Sequence, residues 1–143
     1  MRAKIQFVRS MFDCPIVRFS LGNGSVWHAL VDTGSEITLV DENFAKDNKG
    51  CFNISFTGDK VVMYGVSGSN EKPVVNAKAK VMFDTKDGNM DCDLDAILCN
   101  LDHIKAKDRH GDEFRVTAVL GCDFLKEYKA KINFINSQLS LEQ

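Results

Sequence analysis

Ala29-Leu30-Val31-Asp32-Thr33-Gly34-Ser35, with Ile37-Thr38-Leu39-Val40 just behind it, is the stretch on which the fold turns. Three apolar residues run into an Asp-Thr-Gly bend, and a β-branched apolar run leaves it. That pattern predicts two strands joined by a tight loop, with one carboxylate displayed at the bend. Loops carried on a rigid sheet are where reactive groups concentrate, so Asp32 is the first candidate for chemistry.

Upstream, Ile16-Val17-Arg18-Phe19-Ser20-Leu21 reads as a strand, and Gly22-Asn23-Gly24-Ser25 as a hairpin turn. The return strand, Val26 to Val31, delivers the chain to Asp32. Downstream, Asp41 is placed to cap one or two helical turns through Lys46. Cys51 to Phe56, Lys60 to Tyr64 and Val74 to Phe83 are expected strands, the last two joined by a glycine-bearing turn at Gly65-Val66-Ser67-Gly68-Ser69-Asn70.

Met90 to Cys99 opens with strict alternation, Asp91, Asp93 and Asp95 facing away from Met90, Cys92, Leu94 and Ala96, as a half-buried strand requires. Asn100 to Glu113 is expected to be a polar loop, and Phe114 to Leu120 a strand ending at Gly121. Asp123 is expected to cap a short helix through Tyr128, and a hairpin over Ala130 to Leu141 closes the chain. Met1 to Asp13 carries no clear pattern. The expectation is one mainly β domain over 1–143, with no repeat, linker or low-complexity segment.

Bulk properties narrow the function classes. At 143 residues the chain is long enough for one real core. A net charge of -2 with scattered basic residues gives no electrostatic case for nucleic acid or an anionic membrane. No apolar run approaches the roughly 18 residues of a membrane-spanning helix, and no sustained apolar segment marks a signal peptide at the N-terminus. Cys14, Cys51, Cys92, Cys99 and Cys122 are odd in number and contain no Cys-x-x-Cys pair. Free thiols in the cytoplasm are the expectation, with no metal and no cofactor. The starting methionine hints at a complete protein.

A lone exposed aspartate, with a pKa near 4, is a weak base at neutral pH. Two aspartates within hydrogen-bonding distance cannot both ionise, so they share a proton. The ionised member then deprotonates a water while the protonated member polarises a carbonyl, and water adds to an amide. This chain holds one Asp-Thr-Gly, since Asp84-Thr85-Lys86 lacks the glycine. The second carboxylate would come from another copy through a two-fold axis.

These residues resemble the retropepsin-like aspartic proteases, the retroviral and retrotransposon enzymes with their cellular and bacterial relatives. The match rests on Leu30 to Ser35 followed by Thr38-Leu39-Val40, on the glycine-tipped hairpin around Tyr64 to Gly68, and on Val119-Leu120-Gly121-Cys122-Asp123-Phe124-Leu125. It covers roughly residues 14–142. The resemblance implies a closed β-barrel with one or two short helices, acting as a two-fold homodimer that cleaves peptide or protein substrates. Asp32 would be the catalytic carboxylate, supported by Thr33, Gly34, Ser35 and Gly121. Thr33 would lock onto the partner's matching loop, Gly34 would permit the sharp turn, and Gly121 would pack beneath the loop, where a side chain would collide. A Ser35 hydroxyl bonded to Asp32 would favour its ionised form, and an acidic optimum is expected. Tyr64, Gly65, Val66, Ser67 and Gly68 would form the flap over substrate.

Plainer readings stand beside these. Asp123 reads as a helix cap rather than a second acid, Cys122 as a small buried side chain, and Trp27 as core. His28, His103 and His110 read as surface or loop residues. The chain is longer than the usual viral member, with the excess in residues 46–60 and 84–113. The alternative function is a retropepsin-like dimeric module for peptide binding or assembly with weak or no proteolysis, and an unrelated monomeric β-barrel carrying the motif by accident is the third reading.

Overall fold

A computed structural model describes residues 2–65 and 68–143, with the backbone alone described for 57–65 and 68–73. The strands are β1 (Arg2–Gln6), β2 (Ile16–Ser20), β3 (Val26–Val31), β4 (Leu39–Asp41), β5 (Asn53–Gly65), β6 (Gly68–Thr85), β7 (Gly88–Cys99), β8 (Lys105–Lys107), β9 (Glu113–Arg115), β10 (Ala118–Leu120), β11 (Lys131–Asn133) and β12 (Gln138–Glu142). The helices are α1 (Glu42–Asp47) and α2 (Cys122–Glu127), with a 3-10 turn at Lys49–Cys51.

Six strands close into a barrel. They run in the order β2-β3-β10-β4-β7-β6, with β2 returning to β6 where Ser20 faces Met82, and β5 extends the sheet from β6. Closure removes most of the free sheet edge that an open sheet would expose. The barrel's interior is set by period-two patterning. Along β7, Met90, Cys92, Leu94 and Ala96 are buried and Asp91, Asp93 and Asp95 exposed. Phe83, Leu120 and Val81 are almost fully buried in the same core, each large side chain contributing about 1.5–3 kcal/mol.

The α1 cap forms as the local pattern demands: Asp41 accepts from the Phe44 N–H at 3.1 Å. Phe44 then seats against Trp27, with ring centroids 4.7 Å apart, so Trp27 packs on the core's edge.

Several expectations change. Arg2 to Gln6 is a strand: Ala3, Ile5 and Phe7 are buried in the main core, alternating with Arg2, Lys4 and Gln6, and β1 pairs antiparallel with β12. Ala3, Ile5 and Phe7, which precede Cys14, therefore belong to the packed core. The 100–113 segment is not simply a polar loop, because β8 pairs with β9 and Leu101 is buried beside Cys99 and Val119. The strand expected over Phe114 to Leu120 splits in two, since β9 pairs with β8 while β10 enters the barrel. The strands expected over Cys51 to Phe56 and Lys60 to Tyr64 are one strand, β5, with a register irregularity between Phe56 and Lys60. Asp123 is not the helix cap. Gly121 occupies that position, and Asp123 sits in the first turn of α2. Among the described residues no helix is long and apolar enough to cross a membrane.

Candidate active site

Strands β3 and β4 are joined by the Asp32 loop, yet they do not pair with each other. β10 lies between them, parallel to β3 (Leu120 opposite Val31) and antiparallel to β4 (Val119 opposite Leu39). The loop must therefore arch over the end of β10, which brings residues 32–38 onto Gly121 and the start of α2. Asp32 takes the last rung, its N–H donating to the Leu120 carbonyl at 3.0 Å.

Beyond that rung the chain is tied down by backbone bonds from α2. Cys122 N donates to the Ser35 carbonyl at 2.8 Å and Asp123 N to the Glu36 carbonyl at 3.2 Å. Asp32 itself is half-buried, and its Oδ1 accepts from the Gly34 N–H at 2.9 Å. The bend is closed by Ser35 N donating to the Asp32 carbonyl at 3.2 Å. At Gly34 a Cβ would stand 3.1 Å from Asp32 Oδ1, so this glycine leaves room for the carboxylate. The closest approach is at Gly121, where an added Cβ would overlap the carbonyl of Ile37.

Thr38, quoted above only as part of the stretch behind the Asp32 bend and given no role there, pins this assembly. Its hydroxyl oxygen accepts from the Gly121 N–H at 3.1 Å and donates to Asp123 Oδ1 at 2.7 Å. These partners lie 83 and 85 residues away, so no local signal marked these contacts. Asp123 Oδ1 also accepts from Phe124 N at 2.8 Å, which employs that carboxylate in structure.

Ser35 departs from expectation. Its hydroxyl donates to the Ile37 carbonyl at 2.7 Å rather than to the Asp32 carboxylate, because the tight turn puts that carbonyl two residues ahead within reach. Thr33 is exposed, and its carbonyl lies 3.2 Å from the Cys122 Sγ, so Cys122 is half-buried against the loop rather than in the core. His103 and His110 are exposed, whereas His28 lies on β3, half-buried against the Phe114 ring. Asp84-Thr85-Lys86 falls at the β6–β7 turn, where the Thr85 hydroxyl donates to the Gly88 carbonyl.

The pairing of β5 with β6 is described as far as Tyr64 opposite Ser69 and Gly65 opposite Gly68. Val66 and Ser67 lie outside the described residues, as does the side chain of Tyr64, while Gly65 and Gly68 are described by their backbone. Among the described residues no cluster of three or more His, Cys, Asp or Glu side chains could hold a metal. The surface depressions that line up with Gly22, Asn23, Asp47 and Lys80, or with Cys51, Lys78 and Asp95, lie apart from Asp32.

A six-stranded closed barrel with β10 threaded between the two strands of an Asp-Thr-Gly loop defines the retropepsin-like fold. The chain is similar to the solved retroviral protease-like domain of Ddi1 from Leishmania major, with a TM-score of 0.51 and 13% identity, over 95% of this chain and 90% of that one. At that identity the likeness speaks for the fold alone. No family model and no curated protein sequence matches the chain.

Proposed function

We propose that the chain is one half of a homodimeric aspartic endopeptidase, with Asp32 of each copy contributing one carboxylate. The observation that carries this reading is the Asp32 loop itself: a half-buried carboxylate just past the end of β3 that accepts from Gly34 N, on a loop whose backbone is bonded to Leu120, Cys122 and Asp123. A rigidly held acid costs little reorganisation when it reacts. One copy supplies a single such loop, so the reading requires a two-fold axis beside it.

In the dimer the paired carboxylates share one proton. The ionised Asp32 takes a proton from water as that water attacks the scissile carbonyl, and the protonated Asp32 hydrogen-bonds the carbonyl oxygen. The proton taken from water then passes to the leaving nitrogen as the C–N bond breaks. Thr33 is assigned to the contact between the two loops. The segment Tyr64 to Gly68, between β5 and β6, is assigned to covering an extended peptide, whose backbone a strand edge can hydrogen-bond. A reducing cytoplasm is the proposed compartment, in keeping with Cys14, Cys51, Cys92 and Cys122 standing as free thiols.

The test is peptide-library cleavage from about pH 4 to 7, around the range where carboxylates titrate, with and without a statine-type inhibitor. Asp32→Asn retains an oxygen to accept from Gly34 N, so the fold should persist while cleavage falls at least about a hundredfold. Equal cleavage by the wild type and Asp32→Asn would refute the protease reading. A dimer that binds peptides without cutting them would favour a recognition module instead.

A further inference from the structure

Large apolar side chains are left in solvent at two neighbouring places. The loop between Ser10 and Cys14 raises Phe12, 78% exposed, and the turn between β11 and β12 raises Ile135, 96% exposed. Both segments border one depression, lined by Phe7, Arg9, Asp13, Arg109 and Ile135 among others. Neither projection is loosely held. Ser10 is buried and its hydroxyl accepts from Cys14 N at 2.9 Å, while Met11 N donates to the Lys107 carbonyl at 2.8 Å. On the other segment the Phe134 ring packs edge-on against Phe7, and Phe7 N donates to the Ser137 carbonyl at 2.8 Å. Apolar groups fixed in water at the rim of a polar depression mark an interaction surface.

The patch also begins where the catalytic loop begins. Past Cys14 the chain reaches Pro15, whose carbonyl accepts from Val31 N at 2.8 Å, one residue before Asp32.

We infer that this patch, centred on Phe12 and Ile135, is the seam at which a second copy of the chain docks. The inference rests on the homodimer reading above, and it names the surface that reading requires. A two-fold contact presents the same patch from both sides, so it must be complementary to itself. This one carries what such a contact needs, since Arg9 and Arg109 share the depression with Asp13 and exposed apolar side chains lie on the segments that border it. The alternative seam, exchange of strands between copies, is disfavoured by the sheet. β12 has β1 on one edge and β11 on the other, so both its edges are already paired within the chain. The outer strands carry Arg2, Lys4 and Lys131, charges of the kind that discourage edge-to-edge pairing. A seam of side chains leaves every one of those pairings intact, and its Ser10–Cys14 arm leads into Pro15, which is bonded to Val31 beside Asp32.

Sedimentation equilibrium over a concentration series, with cleavage measured in parallel, tests this on the full chain. The variants are Phe12→Asp and Ile135→Asp, with Val26→Asp as control, an exposed residue at the end of β3 remote from Asp32. Phe12 and Ile135 are so exposed that the fold should survive, which circular dichroism and thermal melting verify. The expected result is a dissociation constant raised at least about tenfold by each seam variant and unmoved by the control. Cleavage lost at low concentration should return as concentration rises. A cleaving wild-type dimer whose constant neither seam variant moves overturns this seam and leaves the protease reading standing. A raised KM with an unchanged dimer constant does the same, and assigns the patch to substrate. A monomeric wild type overturns both.

Discussion

Gly121 lies so close beneath Ile37 that no side chain fits between them. A Cβ on Gly121 would overlap the Ile37 carbonyl oxygen and stand 2.9 Å from the Ser35 carbonyl oxygen. Both obstacles are backbone, and the same loop is bonded to Cys122 and Asp123, so neither side can step away alone. Gly121→Ala is expected to destabilise the fold by about 3 kcal/mol and to abolish peptide cleavage, as measured by urea unfolding and a peptide assay. The reason is space, because the Gly121 backbone, at φ −89°, is open to any residue. A loss within about 0.5 kcal/mol would show that the loop yields freely.

Asp41 should prove more costly to remove than its ion-pair partner. It is fully buried, with Oδ1 accepting from Leu101 N at 2.9 Å and Oδ2 from Phe44 N and from the Arg115 guanidinium, both at 3.1 Å. Asp41→Ala orphans two backbone donors, a cost of about 1–3 kcal/mol each. Arg115 is 53% exposed at its side chain, and without it Asp41 still keeps both backbone donors, so Arg115→Met should cost about 1–3 kcal/mol, less than the two orphaned donors together. Denaturant midpoints of the two variants measure the asymmetry, and equal losses would contradict it.

His28 makes the fold sensitive to mild acid. Burial, and then the positive charge of Arg18 opposite it in register, hold its pKa below the usual histidine value. The folded chain thus binds fewer protons there than the unfolded chain does. Its contribution to stability is present above about pH 6.5 and is lost as pH falls from there toward the lowered folded value. His28→Gln should flatten that part of the stability curve, read as urea midpoints across the range. An unchanged slope would show that His28 does not carry it.

Cys92 should be silent toward alkylating reagents at neutral pH. Burial chiefly pushes its thiol up to about 12, with Asp91 and Asp93 adding to the rise against a hydrogen bond with Tyr128. The reactive form is the thiolate. Iodoacetamide labelling of the native protein, mapped by mass spectrometry, should modify half-buried Cys122 well before Cys92. Early labelling at Cys92 would mean that β7 opens readily.

What the sequence determined by itself is what neighbours along the chain decide. The alternation of Asp91, Asp93 and Asp95 with Met90, Cys92 and Leu94 places β7 on a barrel wall, because strand side chains alternate with period two. Asp41 capping α1 and the bend at Asp32-Thr33-Gly34 are equally local, since each bond closes within three residues. Ala3, Ile5 and Phe7 alternate too, but so short a run beside charged residues declared itself only once β12 covered it. The tertiary structure alone decided that β10 slides between β3 and β4, that Thr38 bridges Gly121 and Asp123, and that Asp41 also holds Leu101 and Arg115. It also turned the Ser35 hydroxyl to Ile37 rather than to Asp32. Long-range partners are chosen when the barrel closes, by which buried N–H and C=O groups are still unpaired as segments far apart in sequence come together.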